Sequence, residues 1–456
     1  MEVIVLAGGL GTRLRSVVHE IPKSLAPIGL RRSFSSEAKM MADASCGEGR
    51  SSGRPFLGYL LDWLIGEGVN HVVFSVGYLK EQVISYVQGQ EWPFSYDFAV
   101  EESPLGTGGG IRKALGCCHE EKVYVVNGDT FYPVELSALP FERPVTLALK
   151  PMKDFDRYGA VEVRSFVANA PQDDNYSERP SCHSDLLCHS DLLCHSDLLC
   201  HSERSEESIV TAFHEKKHCA EGLINGGVYA IDRKRLDLSC LPEKFSFEKE
   251  VLEPGAAIGE IGGWVSDAYF IDIGVPEDYE LAQWAIPAWK AVQQASEAVL
   301  QASADTLFLD RDGVLNRHLP GDYVKSWAQW QWMPGILQEL PQWAAKFRHI
   351  ILVTNQRGVG KGLMTDADLA RIHAQMMREV LEAGGRIDLI LACTAVAEAD
   401  PRRKPNTGMF REACGLFPDI QEKNSVMLGD SPSDAAFADN CGMKFILIED
   451  SSLRSE

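Results

Sequence analysis

"MEVIVLAGGLGTRL" (Met1–Leu14) places an apolar run directly before a cluster of glycines. The run stops after seven residues, too few to span a bilayer, and reads as a buried first strand. Glycines at that point let the backbone approach a phosphate and expose amide donors. Arg13 adds a forked cation for the same anion. The stretch lacks both the dinucleotide fingerprint and the terminal Lys-Ser/Thr of the Walker loop. By itself it is equally a tight strand-to-helix turn.

The pattern repeats outward from this point. "HVVFSVG", "KVYVVNGD" and "PVTLALK" are strand-like, while "FLGYLLDWLIGEG" and "LKEQVISYVQG" have helical spacing. Alternating β and α units argue for a parallel doubly wound α/β sheet. Near residue 290 the chain becomes "AWKAVQQASEAVLQASAD", rich in Ala, Gln and Ser, and a second series follows: "TLFLD", "HIILVTN", "LILAC", "SVMLGD", "KFILIED". The expected organisation is a first domain over 1–285, a helical linker over 286–303 and a second domain over 304–456. Two polar, Ser-rich stretches without apolar period, about 31–53 and 175–208, read as insertions in surface loops.

Composition sets outer bounds. The chain of 456 residues is 45% apolar and 24% charged, in the globular range. Its net charge of -21 disfavours nucleic acid, which needs clustered Lys and Arg, but leaves room for small anions held by local cations. No apolar run predicts a membrane span, and twelve Cys without framework spacing point to a reducing cytoplasm.

Further signals in the first half converge on phosphates. "IPKSLAPI" brings Lys23, and "SPLGTGGGI" (Ser103–Ile111) is a second glycine loop suited to a flat base or sugar. "VVNGD" and "FIDIG" end strands at Asp129 and Asp272, the sheet edge where ligands bind in open α/β folds. Two such carboxylates can share a Mg²⁺. Together with "DRYGAVEV", "FHEKK", "INGGVYAI" and "YFIDIGVPEDY", these motifs resemble the sugar-1-phosphate nucleotidylyltransferase family, nearest its heptose 1-phosphate guanylyltransferase branch. The resemblance implies a Rossmann-like domain with a mixed sheet. It implies that Gly8, Gly9, Gly11, Thr12 and Arg13 hold the nucleotide triphosphate, with Gly106, Thr107 and Gly108 near the base. Lys23 would act on the attacked phosphate, and Asp129 and Asp272 would hold Mg²⁺. Tyr158, Gly159, Glu215, Lys216, Asn225 and Gly226 would line the sugar-phosphate pocket.

"LFLDRDGVLN" (Leu307–Asn316) opens the second half with Asp310 and Asp312 at a strand end, two apart and so on one side of an extended chain. Two such carboxylates can divide labour as nucleophile and proton donor. "LVTN" follows with Thr354, "RRKPNTGM" with Lys404 and "MLGDSPSDAAFA" with Asp430 and Asp434. These four features, in order, resemble the haloacid dehalogenase superfamily of phosphatases, in the branch of heptose bisphosphate and histidinol phosphatases. The implied fold is a Rossmann-like parallel sheet. The implied roles are Asp310 as nucleophile, Asp312 as acid and base, and Thr354 and Lys404 as phosphoryl clamps. Mg²⁺ would lie on Asp310, Asp430 and the Asp312 carbonyl, with Asp434 behind the ligands and Asn316 and Arg403 as substrate contacts. That branch carries a small Cys-His zinc loop before its Lys motif. Here the stretch is "CTAVAEADPRRKP", and Cys393 alone cannot build a four-ligand site, so no zinc is expected.

"CHSDLL" recurs in Ser181–Ser208, giving four Cys-His pairs six residues apart. Neither helix nor strand turns that spacing into a C-x₂-C site, and near-identical copies suggest duplication of a passenger segment. Both halves together imply one enzyme for two steps on small molecules, with Mg²⁺ in each: dephosphorylation of heptose 1,7-bisphosphate at C7, then transfer of GMP from GTP to heptose 1-phosphate. Another hexose phosphate, a histidinol-phosphatase-like second half, or a scaffold with a decayed transferase fold remain the rival readings.

Overall fold

The computed structural model describes residues 1–9, 11, 13–14, 17–18, 20–29, 53–165, 208–214 and 216–449. Two sheets organise them. The first is nine-stranded and mixed. Its parallel part sets Glu2–Leu6 between His71–Val76 and Lys122–Asn127, with Ser95–Val100 beyond. The long strand Cys219–Asp232 then runs antiparallel to Lys122–Asn127 and to Val145–Phe155. Val3, Val5, Val72 and Phe74 face one apolar layer, while Ile4, Val73, Val123 and Val125 face another. This sheet is covered on both sides, which is why its parallel strands read as unbroken apolar runs. The second sheet is five-stranded and parallel throughout, with Thr306–Leu309 at its centre.

Both expected insertions start and finish at paired residues. Ile28 lies opposite Arg54, and Ser165 lies opposite Ser208. Residues 30–52 and 166–207, including all of the Cys-His repeat but its last residue, lie outside the described residues. Closure of long loops at such points adds only logarithmically to the entropy lost on folding.

Residues 286–301 continue one helix, Pro276–Gln301, that packs into both cores. Pro276 and the acidic Glu277 and Asp278 suit its first turn. Tyr279, Ala282 and Ile286 belong to the first core, and Ala288, Val292, Ala295 and Val299 to the second. Polar contacts fix each end of this staple. Tyr279 donates to Pro27 O at 2.6 Å, and Lys290 Nζ lies 2.5 Å from Asp62 Oδ2, which Arg54 also grips. Further along, buried Ser296 donates to Glu339 at 2.6 Å and accepts from Trp343 Nε1 at 2.9 Å. The Lys346 ammonium caps the last carbonyls, 2.7 Å from Ala302 O. No helix among the described residues is long and apolar enough to cross a membrane.

Candidate active sites

Two adjoining clefts of about 310 and 270 Å³ open at the C-terminal edge of the first sheet's parallel strands. Leu6, Arg13 and Asp129 line both, so the clefts meet at that seam. Gly9, Gly11, Lys23 and Gly274 wall the smaller; Tyr158, Gly159, Lys216, Asn225 and Gly226 wall the larger.

A short ladder creates the seam. Gly128 turns the chain over the first strand, its N–H donating to Leu6 O at 3.0 Å. A Cβ there would stand 2.6 Å from that oxygen, so any side chain would lift the loop. Thr130–Phe131 then pairs antiparallel with Ile271–Asp272, and the Ile273 N–H donates to Asp129 O at 3.0 Å. The carboxylates of Asp129 and Asp272 are thereby brought to one ammonium: Lys23 Nζ lies 2.7 Å from Asp129 Oδ2 and 3.4 Å from Asp272 Oδ1. Burial pushes the Asp272 carboxyl above its usual range; the Asp129 charge adds to this and Lys23 opposes it. Two hard carboxylates with more negative charge than one lysine offsets are a donor set that suits Mg²⁺.

The larger cleft has oriented polar walls. Asn225 donates to Tyr229 Oη at 3.0 Å and accepts the Gly227 N–H at 3.0 Å. The Tyr158 ring stands edge-on to Phe270 with centroids 5.8 Å apart, and Arg157 is held by Asp278 at 2.8 Å. The second glycine stretch departs from the open loop expected of it, because a helix begins at Gly106. Gly106 and Thr107 are exposed, whereas Gly108 is buried under the Phe245 ring, where a Cβ would overlap the ring carbons. Gly108 therefore serves helix packing and presents no surface to a base, and the Thr107 hydroxyl accepts the Phe247 N–H at 3.0 Å.

The second sheet gathers its charged groups differently. Leu309 is in register with Leu352 and with Leu428, so three adjacent parallel strands end together at Asp310, Thr354 and Asp430. Lys404 Nζ lies 2.8 Å from Asp310 Oδ1 and 2.5 Å from Asp434 Oδ1. Its backbone is clamped by Asn355, which accepts the Lys404 N–H at 3.0 Å and donates to its carbonyl at 3.1 Å. Burial disfavours the ammonium, but Asp310 and Asp434 outweigh it and raise the Lys404 pKa above the lysine norm. Burial also pushes the Asp310 carboxyl up to about 8, opposed by Lys404 and assisted by Asp434, Asp430 and Asp312. Asp310 Oδ1 is buried, with the Lys404 ammonium as its close partner. Asp310, Asp430 and Asp434 each offer an oxygen within 4.8 Å of the others. Three carboxylates gathered around one lysine keep an excess of negative charge and of oxygen donors, which fits a divalent cation. Gly313, at φ +85°, lets the loop close on Asp430, where a Cβ would overlap the carboxylate.

Asp312 has the opposite environment. Burial alone would raise its pKa, but Arg311, Asn316 and Gln356 hold it below the usual range. Asn316 Nδ2 donates to it at 2.9 Å, Gln356 Nε2 at 2.7 Å, and Arg311 Nη2 lies 3.0 Å from each oxygen. Arg311 is fully buried, with Trp330 on one side and His373 Nε2 3.4 Å from its Nη1. Burial, then Arg311, hold His373 down to about 4, so its neutral ring accepts from the guanidinium.

Comparison with known proteins follows the same division. D-glycero-alpha-D-manno-heptose 1-phosphate guanylyltransferase of Aneurinibacillus thermoaerophilus is 36% identical over 288 residues, 62% of this chain and 97% of the relative. D-glycero-alpha-D-manno-heptose-1,7-bisphosphate 7-phosphatase of Mycobacterium tuberculosis (strain CDC 1551 / Oshkosh) is 40% identical over 135 residues, 29% of this chain and 71% of the relative. The chain belongs to both families. The family described as polynucleotide kinase 3 phosphatase matches residues 307–450. A crystal structure of D,D-heptose 1,7-bisphosphate phosphatase from B. bronchiseptica, complexed with magnesium and phosphate, is 33% identical; it covers 31% of this chain and 78% of that one, with a TM-score of 0.29.

In the guanylyltransferase half, the structure brings Gly9, Gly11, Arg13, Lys23, Asp129 and Asp272 to the joined clefts; Gly8 packs behind them, where a Cβ would stand 3.1 Å from Gly77 N. Thr12 and Glu215 lie outside the described residues. In the phosphatase half, Thr354 accepts from Gln356 at 2.9 Å, and Asp434 accepts from Ser431 Oγ at 2.6 Å while holding Lys404. Asn316 is turned to Asp312, and Arg403 Nη1 is buried without a hydrogen-bond partner. Sequence reasoning missed Arg311, Gln356, His318, Arg157 and Asp278. Arg311 had a signal: a charged residue between the two aspartates of a strand end must point to the opposite, interior side. His318 Nδ1, 3.5 Å from Asp430 Oδ2 and raised in pKa by that contact, had none.

Proposed function

We propose that this chain makes GDP-heptose in two successive steps. The second half removes the 7-phosphate of heptose 1,7-bisphosphate, and the first half transfers GMP from GTP to the resulting heptose 1-phosphate. The observation that carries the first activity is the seam at Arg13 and Asp129, where a glycine-walled cleft and an Asn- and Tyr-walled cleft meet beside Lys23. That geometry brings a triphosphate and a sugar phosphate together end to end. The family membership of each half supports the substrate. A domain over 1–285, one over 304–456, and the cytoplasm as the place of action complete the reading.

In the transferase, Arg13 and the amides around Gly9 and Gly11 bind the triphosphate. Asn225, its amide fixed by Tyr229 and the Gly227 N–H, orients the sugar. A sugar-phosphate oxygen attacks the α-phosphorus in line as the bond to pyrophosphate breaks. Lys23, already within reach of both carboxylates, meets the charge that develops on the α-phosphoryl oxygens. Asp129 and Asp272 would hold a Mg²⁺, which when bound supplies charge neutralisation for the two anions.

In the phosphatase, Asp310 attacks the 7-phosphorus and the phosphorus–oxygen bond to the sugar breaks, leaving an aspartyl-phosphate. Lys404 and the Thr354 hydroxyl steady the phosphoryl oxygens, and Arg403 offers its unpartnered Nη1 to the substrate. Asp312 gives its proton to the departing sugar oxygen and then takes one from the water that cleaves the aspartyl-phosphate. Without substrate Asp312 is held ionised; the arriving phosphate's negative charge favours its protonation. Asp310, Asp430 and the Asp312 carbonyl would hold the second Mg²⁺, which keeps Asp310 ionised for attack. No zinc is assigned to this half, since Cys393 is the lone thiol of its stretch and points at Asp400.

One incubation with heptose 1,7-bisphosphate, GTP and Mg²⁺ tests the reading. GDP-heptose should form; Asp310→Asn should stop at the bisphosphate, and Asp129→Ala should accumulate heptose 1-phosphate. Faster turnover of mannose 1-phosphate or histidinol phosphate than of the heptose substrates would overturn the assignment.

A further inference from the structure

At the other end of the first sheet, away from both clefts, three segments converge on one buried carboxylate. Glu2 opens the central strand and His71 opens its parallel neighbour, the two being in register. His119 lies in the turn ahead of Lys122–Asn127. The Glu2 carboxylate is buried and accepts the N–H groups of His119 at 3.0 Å and Glu120 at 2.8 Å. The strand Glu2–Leu6 separates this corner from the clefts by about 13 Å at the usual rise per residue.

The spacing of the side-chain donors is specific. His119 Nδ1 lies 3.2 Å from Glu2 Oε1, His71 Nε2 lies 3.6 Å from the same oxygen, and His71 Nε2 lies 3.5 Å from Asp97 Oδ2. Nitrogen and oxygen ligands at the bond lengths of tetrahedral zinc stand about 3.3–3.5 Å apart along the edges of the tetrahedron. One atom from each of Glu2, His71 and His119 falls within 4.8 Å of the others.

The tautomer of His71 is set from its far side. The Ser95 hydroxyl donates to Asn70 O at 3.2 Å, so at 2.8 Å it accepts from His71 Nδ1. Nδ1 therefore carries the hydrogen, and Nε2 faces the two carboxylates. Nε2 is buried and has no hydrogen-bond partner. A neutral ring would aim a lone pair at two carboxylate oxygens, and a cation among them, metal ion or proton, removes the conflict. A neighbour that fixes the ring through its other nitrogen is the usual support of a metal-bound histidine.

We propose that Glu2, His71 and His119 form a transition-metal site that takes Zn²⁺, with Asp97 beside His71 adding negative charge. The mixed imidazole and carboxylate donors suit zinc over Mg²⁺ or Ca²⁺, which take oxygen ligands. The ion ties the starts of two strands to the turn before a third, and so stiffens the sheet that carries the transferase clefts. The sequence predicts no zinc, on the ground of the lost Cys-His loop in the other half; the ligands here come from three distant segments, and no spacing announces them.

The test uses the full chain, equilibrated with zinc and dialysed, with bound metal counted by elemental analysis. We expect one equivalent of zinc that His119→Ala and His71→Ala each lose, and zinc should raise the thermal midpoint of the parent but not of the variants. His119 is 75% exposed, so its removal leaves the fold in place. Cobalt in place of zinc should give tetrahedral visible bands without thiolate charge transfer, which separates this site from the Cys-His repeat. Retention of the same zinc by both variants, a cobalt spectrum due to thiolates alone, or a parent that keeps no zinc because Nε2 simply carries a proton would each overturn the proposal.

Discussion

Lys23, 11% exposed, bridges Asp129 and Asp272, which are 38% and 21% exposed, whereas Lys404, 1% exposed, bridges Asp310 and Asp434, at 12% and 0%. Both halves thus set one ammonium among carboxylates at a sheet edge, but in different media. At the more open site water reaches the carboxylates, and the Lys23 ammonium, held by Asp129 and Asp272, can leave a carboxylate for a phosphate. At the closed site Asn355 clamps the Lys404 backbone on both sides, Ser431 fixes Asp434, and little water is present to screen. A site that must admit two large anions stays open and movable. A site that admits one phosphate group is assembled beforehand, and its charges depend on each other.

Substitutions can break this contrast, and the largest effect is expected at the nucleophile. Asp310→Asn should lower phosphate release by at least about a thousandfold, as removal of a covalent nucleophile does, while guanylyl transfer to supplied heptose 1-phosphate stays intact. Next comes Lys404→Ala, which leaves Asp310 and Asp434 buried without a counter-charge. Destabilisation of about 3–5 kcal/mol is expected in denaturant unfolding, and a smaller loss for Lys23→Ala, whose carboxylates reach more water. Equal losses would erase the distinction between the two centres. Asp129→Ala should slow guanylyl transfer by about a hundred- to a thousandfold, the range for loss of one electrostatic stabiliser, and leave phosphate release unchanged.

The smallest effect probes the staple between the halves. Burial raises the Asp62 pKa, but the hydrogen bonds from Arg54 and Lys290 prevail and bring it below its ordinary value of 3.8. A depressed carboxylate contributes stability that is complete above the unfolded value and lost as pH falls through the folded one. Asp62→Asn should cost about 1 kcal/mol at neutral pH, and the parent's advantage should vanish in acid below that range. An advantage that persists at low pH would mean the Arg54–Asp62–Lys290 contact holds the helix by packing alone.

Much of this was legible before any coordinates. An apolar run followed by glycines, or by an aspartate two residues from another, encodes a strand end locally, because alternation and turn chemistry act over neighbouring residues. That made Asp129, Asp272, Asp310 and Asp430 readable as strand ends, Lys23 and Lys404 were legible through the family resemblance of their motifs, and the alternation of β and α runs pointed to both Rossmann-like halves. The glycine stretch at 106–110 was legible only in part: Thr107 lines the larger cleft, but a glycine that admits a ligand and one that admits a phenylalanine ring look the same in sequence. Phe245 covers Gly108 from far along the chain.

What the sequence determined by itself was which residues end strands and what charge they carry there, since both follow from short-range periodicity and side-chain chemistry. Only the tertiary structure decided which of those ends meet. The ladder of Thr130–Phe131 with Ile271–Asp272, the burial of Arg311 behind Asp312, and the convergence of Glu2, His71 and His119 all join residues distant in the chain. Such meetings are set by how whole layers pack and exclude water, and no local window of sequence contains that information.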